Sequence, residues 1–372
     1  MRRSSTGGMI REHPARKLWE ARYVGADGRR HSLYAKTRKE AQERLRAALA
    51  ASDAGIRPAP GKLTVGTWLD EWLDTSVATR CRASTARSYR DVCRRYIRPA
   101  LGKRPLAKLT PEDVSGMLVT LTARGNLSPT TVRYVYVVLR VALGRALKSG
   151  QVTRNVATLV DPPTKAPSAI EPLTGHQVEA FRIAIAGHRL EALFMTALGT
   201  GLRQGELLAL RWPEVNLEAG TLAVRATLDP LSGELGEPKT DQSRRTVYLP
   251  LPVVAVLRRH RATQAAARAQ ARRWDARGFV FASKSGRPLS SQNVTRDLHA
   301  VLATAGLPRQ RFHDLRHAYA SLQLEAGADL FEVSRALGHA SITTTANVYG
   351  HFTKAMAERA ADRMTTILEK SS

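Results

Sequence analysis

Two proline-rich breaks, GIRPAPGK (Gly55 to Lys62) and DPPTKAPSAIEP (Asp161 to Pro172), constrain this chain more than any other feature. Proline can extend neither a helix interior nor a sheet ladder, and clustered Pro and Gly mark linkers. The breaks leave three stretches, 1–60, 63–163 and 173–372, each with its own hydrophobic pattern. A length of 372 residues suits two or three domains, and 43% hydrophobic residues can fill their cores. The expected fold class is therefore multidomain: a small β-sheet plus helix N-terminal module, an all-α middle domain, and a larger mainly-α domain with a small β-sheet.

In the first stretch KLWEARYV (Lys17 to Val24) alternates as a strand does, Asp27-Gly28 is a hairpin signal, and RRHSLYAK (Arg29 to Lys36) supplies the partner strand. Thr37 caps a helix that follows, with Glu40 three residues on. In the second stretch Val65, Trp68, Leu69, Trp72 and Leu73 form one apolar helix face, and Tyr89, Val92, Cys93, Tyr96 and Ile97 repeat it. Thr110-Pro111 and Ser128-Pro129 open two more helices. The third stretch is mainly helical, with strand signals between Thr221 and Leu249 and at Gly278 to Phe281.

Charge narrows the possible partners. Lys and Arg total 58 against 32 Asp and Glu, a net charge of +26, and residues 1–60 alone carry 14 basic against 6 acidic side chains. A positive excess spread over folded segments fits double-stranded DNA or RNA better than a membrane anchor. The polar helix faces of the middle stretch carry Arg80, Arg82, Arg87, Arg90, Arg94, Arg95 and Arg98. Such a run is either a solvated surface or a face that follows a nucleic-acid backbone. Cys81 and Cys93 make no disulfide framework and fit a reduced, cytoplasmic protein. The opening MRRSSTGGMIREHPARK has no apolar stretch behind its charges, so no signal peptide is expected. The most apolar run, VYVVLRVALG, is short and broken by Arg140.

Four clusters in the last stretch carry chemistry. TALGTGLRQGELLALRW (Thr196 to Trp212) sets Gly199, Gly201 and Gly205 around a turn into a helix bearing Arg203 and Glu206. Arg203 at a helix start can hold an oxyanion, although a plain helical joint has the same look. EPKTDQSRRTVYLP (Glu237 to Pro250) puts Lys239 at a turn between strand-like segments. In FHDLRHAYAS (Phe312 to Ser321), His313 and Arg316 share a helix face and offer one phosphate a proton-transfer group and a cation. A zinc helix built on His313 and His317 is a rival reading, opposed by the cation Arg316 between the two would-be ligands. In LGHASITTTANVYGH (Leu337 to His351), Gly338 signals a turn and then a new helix, so His339 and Tyr349 can converge.

Taken in order, Arg203, Lys239, His313, Arg316, His339 and Tyr349 resemble the catalytic set of the tyrosine recombinase (phage integrase) family. GTGLRQGEL, PKTDQSRR, HDLRH and LGHASITTTANVYGH all look like the family's boxes. The order of the three stretches is similar to lambda-type integrases. There the first would be an arm-type DNA-binding module, the second a helical core-binding (SAM-like) domain, and the third the catalytic domain. The resemblance implies site-specific recombination through a covalent 3′-phosphotyrosyl intermediate, with Tyr349 as nucleophile. It also implies that Arg203 and Arg316 clamp the phosphate, His313 acts as base, Lys239 as acid, His339 as a hydrogen-bond donor and Glu206 as support. It implies no metal and no cofactor, a homotetramer on DNA with core and arm sites, and accessory DNA-bending proteins. Arg29 and Arg30, with Trp19, Tyr23 and Tyr34 nearby, are the DNA-binding candidates of the first module; Arg87 and Arg94 are those of the second. The tail FTKAMAERAADRMTTILEK (Phe352 to Lys370) would pack on a neighbouring subunit. The alternatives are a type IB topoisomerase and a DNA-binding accessory protein without catalysis.

Overall fold

The computed structural model describes residues 8–14, 17–25, 28–53, 63–164, 172–230, 232–237, 244–339, 341–349, 361–362 and 364–369. The chain divides into two compact units, Met1–Ser168 and Ala169–Ser372. The fold is multidomain and mainly helical, with small sheets.

The first unit opens with a three-stranded antiparallel meander, Met9–His13, Leu18–Val24 and Arg30–Ala35. The first of these strands lay outside the sequence expectation. Ile10 pairs with Ala21 and Ala21 with Leu33, so these alternate positions share one face. Helix Arg38–Asp53 covers that face and buries Ala21, Tyr23, Ala35, Ala41 and Leu45 with it. The Thr37 cap is in place, its hydroxyl accepting from the Glu40 amide at 3.2 Å. Trp19 packs on the same core, with Arg38 over its ring. Trp19 and Tyr23 thus belong to the covered side of the sheet.

The rest of this unit is helical around a separate core. Thr64, Thr110 and Ser128 cap three of its helices, and proline occupies the first turn of the last two, Pro111–Ala123 and Pro129–Lys148. Val65, Trp68, Leu69, Trp72 and Leu73 are all buried, as their spacing predicts. Trp68 donates its indole N–H to the Ala142 carbonyl at 3.0 Å, so its one polar atom is satisfied inside the core. Two helices carry a π turn where regular spacing predicts none, at Leu73–Val77 and at Cys93–Ile97.

The second unit packs its helices around a core that includes Phe181, Phe194, Leu193, Val280, Phe281 and Leu298. A three-stranded antiparallel sheet, Val215–Asn216, Thr221–Val224 and Arg245–Tyr248, lies within the same unit. The run Gly278 to Phe281 differs from expectation: it forms an isolated bridge at Phe279 rather than a strand. Phe279, Val280 and Phe281 are still buried, so the apolar signal reports a core plug. Ala320, Leu324, Val333 and Leu337 form a smaller cluster that fixes helix Phe312–Glu325 against helix Leu330–Leu337. No described helix is long and apolar enough to cross a membrane.

Candidate active site

Helix Glu191–Thr200 ends on Gly201, which is left-handed at φ 61°. A Cβ there would meet Tyr319 Cδ1 at 2.6 Å and Leu337 Cδ2 at 2.8 Å, so both backbone and packing require glycine. The next turn places Arg203 as the cap of helix Gln204–Ala209. Gly199 and Gly205 act differently from the expected loop glycines. Both lie inside helices, where a Cβ would press on Val253 and Thr227.

Three arginines meet at one helix end. Helix Leu330–Leu337 stops on Gly338, left-handed at φ 65°, which exposes its last carbonyls. Arg245 Nε donates to the Ala336 carbonyl at 3.0 Å, Arg316 Nη2 to Leu337 at 2.7 Å, and Arg203 Nη2 to Gly338 at 3.5 Å. Arg316 also donates to the Gly201 carbonyl at 2.7 Å and is only 2% exposed. The negative end of a helix dipole thus serves as counter-charge for three cations.

One carboxylate joins them. Glu206 accepts from the Arg203 amide at 3.0 Å and from Arg203 Nη1 at 2.8 Å, and it pairs with Arg245 Nη2 at 3.3 Å. Burial works to raise its pKa, but Arg245 and Arg203 outweigh it and hold the carboxyl below the ordinary range. Glu206 therefore stays ionised. Arg245 is the residue that sequence reasoning missed. It sits one residue beyond Arg244 in the Arg-Arg of PKTDQSRR, and nothing in that spelling says which arginine turns inward.

Both histidines are held neutral. His313, in the first turn of helix Phe312–Glu325, is lowered to about 4 by partial burial, then by His317, Arg316 and Arg203. His313 nonetheless keeps much of its surface exposed to solvent. The His317 ring stands edge-on at 5.0 Å. His339 is also lowered to about 4, by burial and then by Arg316 and Arg203. Its Nδ1 lies 2.7 Å from the hydroxyl of Thr345, a residue with no exposed surface. When that hydroxyl donates to Nδ1, Nε2 carries the proton and becomes a donor.

Arg203, Glu206, His313, Arg316 and His339 thus come together. Tyr349 closes helix Ile342–Tyr349, the helix that carries Thr345. Lys239, His351 and most of the tail Phe352 to Lys370 lie outside the described residues. Among the described residues no group of three or more His, Cys, Asp or Glu is placed to hold a metal ion. A cleft of about 440 Å³ borders the site, lined by Arg245, Phe331, Ser334, Arg335, Gly338 and His339. Arg203 and His313 are not among its lining residues. In the first unit Arg29 and Arg30 are exposed, Arg94 is exposed and paired with Asp91 at 2.9 Å, and Arg87 is half-buried.

Guanidiniums and neutral imidazoles gathered at one helix end suit an anionic substrate, and the comparisons place the chain among enzymes of DNA strand breakage and rejoining. Residues 171–356 match the phage integrase family, and residues 64–118 match the phage integrase N-terminal SAM-like domain. A tyrosine recombinase XerC-like protein of Caldanaerobacter subterraneus subsp. tengcongensis is 30% identical over 87% of this chain and 88% of its own length. An integrase of Streptomyces ambofaciens is 33% identical over 84% of this chain and 83% of its own. Among solved structures, the Tn1549 transposon integrase in complex with a circular intermediate DNA aligns with a TM-score of 0.70. It is 21% identical and covers 81% of this chain and 99% of that one. A lambda integrase tetramer bound to a Holliday junction aligns with a TM-score of 0.58 at 20% identity, over 90% and 98%. The chain belongs to the phage integrase family of tyrosine recombinases, enzymes of site-specific DNA recombination.

Proposed function

We propose that this recombinase integrates or excises a mobile element, with Tyr349 as nucleophile and Arg203, Arg316, His313, His339 and Lys239 as its catalytic group. The observation that carries the reading is the set of guanidiniums held on carbonyls 336–338 beside two neutral histidines. A phosphodiester is anionic, and its transition state gathers charge on the non-bridging oxygens. Arg203 and Arg316 stabilise that charge, and His339 adds a hydrogen bond. The Tyr349 phenol, with an ordinary pKa of about 10, must lose its proton to attack. Neutral His313 accepts it. The bond from Tyr349 Oη to phosphorus forms as the bond from phosphorus to the 5′-oxygen breaks, and Lys239 protonates the leaving oxygen. The product is a 3′-phosphotyrosyl enzyme and a free 5′-hydroxyl. A 5′-hydroxyl from a partner duplex then reverses the step, returning the proton to Tyr349 and leaving recombined DNA. Glu206 and Arg245 hold Arg203 in place.

The substrate is double-stranded DNA. The module 1–60 would bind arm sites, 63–163 would bind core sites with Arg87 and Arg94 facing the backbone, and 173–372 would catalyse. The lambda integrase tetramer on a Holliday junction supports four copies acting together on DNA, with the C-terminal tail packing between them. Accessory DNA-bending proteins and a cytoplasmic location belong to the same reading.

The test is a covalent trap. The protein is incubated with a nicked duplex carrying the core site, in EDTA, and the products are resolved in SDS. A protein–DNA band that maps to Tyr349 and vanishes in Tyr349→Phe is the expected result. Intact DNA binding with no band on any core site would return the chain to a DNA-binding role without catalysis.

A further inference from the structure

The N-terminal sheet has a covered face and an open face. Helix Arg38–Asp53 takes the side of Ala21, Tyr23 and Ala35. Strand alternation then puts Arg11, Glu20, Arg22 and Tyr34 on the other side, with Glu20 opposite Arg11 on one neighbouring strand and Tyr34 on the other. Glu20 is only 1% exposed, although helix Arg38–Asp53 packs on the opposite face of the sheet. Its own neighbours bury it. Arg11 Nε donates to it at 2.8 Å, Arg22 Nε at 2.9 Å and the Tyr34 hydroxyl at 3.3 Å. The Arg22 bond, ahead of those from Arg11 and Ser32, holds the carboxyl down at about 2 against the effect of burial. Glu20 is therefore a permanent anion between two cations.

The way the cations are held matters. Both use Nε on Glu20, and among the described residues neither makes a hydrogen bond through its Nη atoms. The two side chains stay 43% and 45% exposed. A carboxylate between two arginines lowers their joint charge, which is a poor way to attract phosphate. It is a good way to fix two planar forks, and the Nη1–Nη2 edge of such a fork matches O6 and N7 of guanine in the major groove. With Arg30 on the same sheet, the face remains net positive towards a polyanion.

We infer that this open face reads guanines of duplex DNA, with Arg11 and Arg22 as the base-reading side chains and Glu20 as their positioning residue. The inference rests on the recombinase reading and assigns its sequence selectivity to particular atoms.

The test selects preferred sequences from a randomised duplex library with the full-length protein and four variants: Arg11→Lys, Arg22→Lys, Arg11→Gln and Glu20→Gln. Thermal melts confirm that each variant folds. The wild type is expected to enrich at least two guanines that depend on the N-terminal module. Arg11→Lys and Arg22→Lys keep the charge but lose the fork, so each relaxes one guanine by at least about fivefold while binding to non-cognate duplex is kept. Arg11→Gln relaxes the same guanine and also weakens non-cognate binding. Glu20→Gln relaxes both guanines without weakening non-cognate binding, because it removes a negative charge. Bases selected by the rest of the chain are the internal control and stay unchanged. Identical preferences in all five proteins would overturn the inference. So would a uniform loss of affinity for every duplex in the lysine variants, which marks phosphate contacts. A protein that still forms the covalent Tyr349 adduct while its preferences ignore these substitutions refutes this inference alone. One that binds no duplex refutes the recombinase reading with it.

Discussion

His313 and His339 show how single residues report on the site. Both have folded values near 4 against 6.5 for a free imidazole. Between those values the unfolded chain binds protons that the folded chain refuses. The stability tied to both groups is therefore complete above pH 6.5 and is lost as pH falls towards 4. A melting temperature followed over that window should drop, and the drop should shrink in a His313→Gln, His339→Gln double variant. Nuclear magnetic resonance should find both rings still neutral at pH 6, and titrating at higher pH once a duplex brings its phosphate between them. An unchanged titration on DNA would place the phosphate elsewhere. Arg245 is the second residue-scale case. Arg245→Gln leaves Arg203 as the remaining cation on Glu206 and removes the donor to Ala336. Single-turnover cleavage should slow by about 10- to 100-fold, as for the loss of an orienting partner, with DNA affinity nearly unchanged. Arg245→Lys should recover part of the rate. A uniform fall in affinity with normal cleavage of bound DNA would mean that Arg245 contacts DNA instead.

At the scale of an element, helix Leu330–Leu337 does most of the positioning, and it does so by ending. Its left-handed Gly338 turns the chain and leaves three carbonyls facing three arginines. Gly338→Ala puts a Cβ where left-handed backbone costs about 1–2 kcal/mol. The expected result is a lower melting temperature together with slower cleavage, because the carbonyls move with the turn. A variant that melts lower but cleaves normally would separate the turn from the site. Much of this was legible in advance. The Gly338 stop, the helix start before Tyr349 and the shared face of His313 and Arg316 are local features, written in glycine and in i, i+3 spacing. The carbonyl acceptors were not legible, because a backbone oxygen has no letter of its own. Gly199 and Gly205 mislead for a related reason: glycine spells close approach without saying whether ligand or side chain approaches. The π turns at Leu73–Val77 and Cys93–Ile97 were invisible as well, since each adds a residue without disturbing the order of apolar positions.

Across the whole molecule, the proline breaks and the charge carried the sequence reading furthest. Two distinct hydrophobic cores, Ala21 to Leu45 and Val65 to Val160, fall within the one compact unit Met1–Ser168, and the net charge of +26 fits a DNA enzyme. Tyr349 and Lys239 were singled out by resemblance rather than by pattern, because a phenol and a turn lysine are ordinary until their neighbours are known. If several of the basic side chains meet phosphates, affinity for duplex DNA should fall at least about 10³-fold between 50 and 200 mM salt. A shallow dependence would mean that most of the positive charge is solvated surface. The backbone anchoring of the arginines also foretells how the chain tolerates change. In a saturation mutagenesis screen scored by recombination, Arg203, Arg245 and Arg316 should accept almost nothing. Ala336, whose main-chain oxygen holds one of them, should accept many residues of similar size. Natural drift can therefore rewrite the acceptor side of this site while leaving its electrostatics intact.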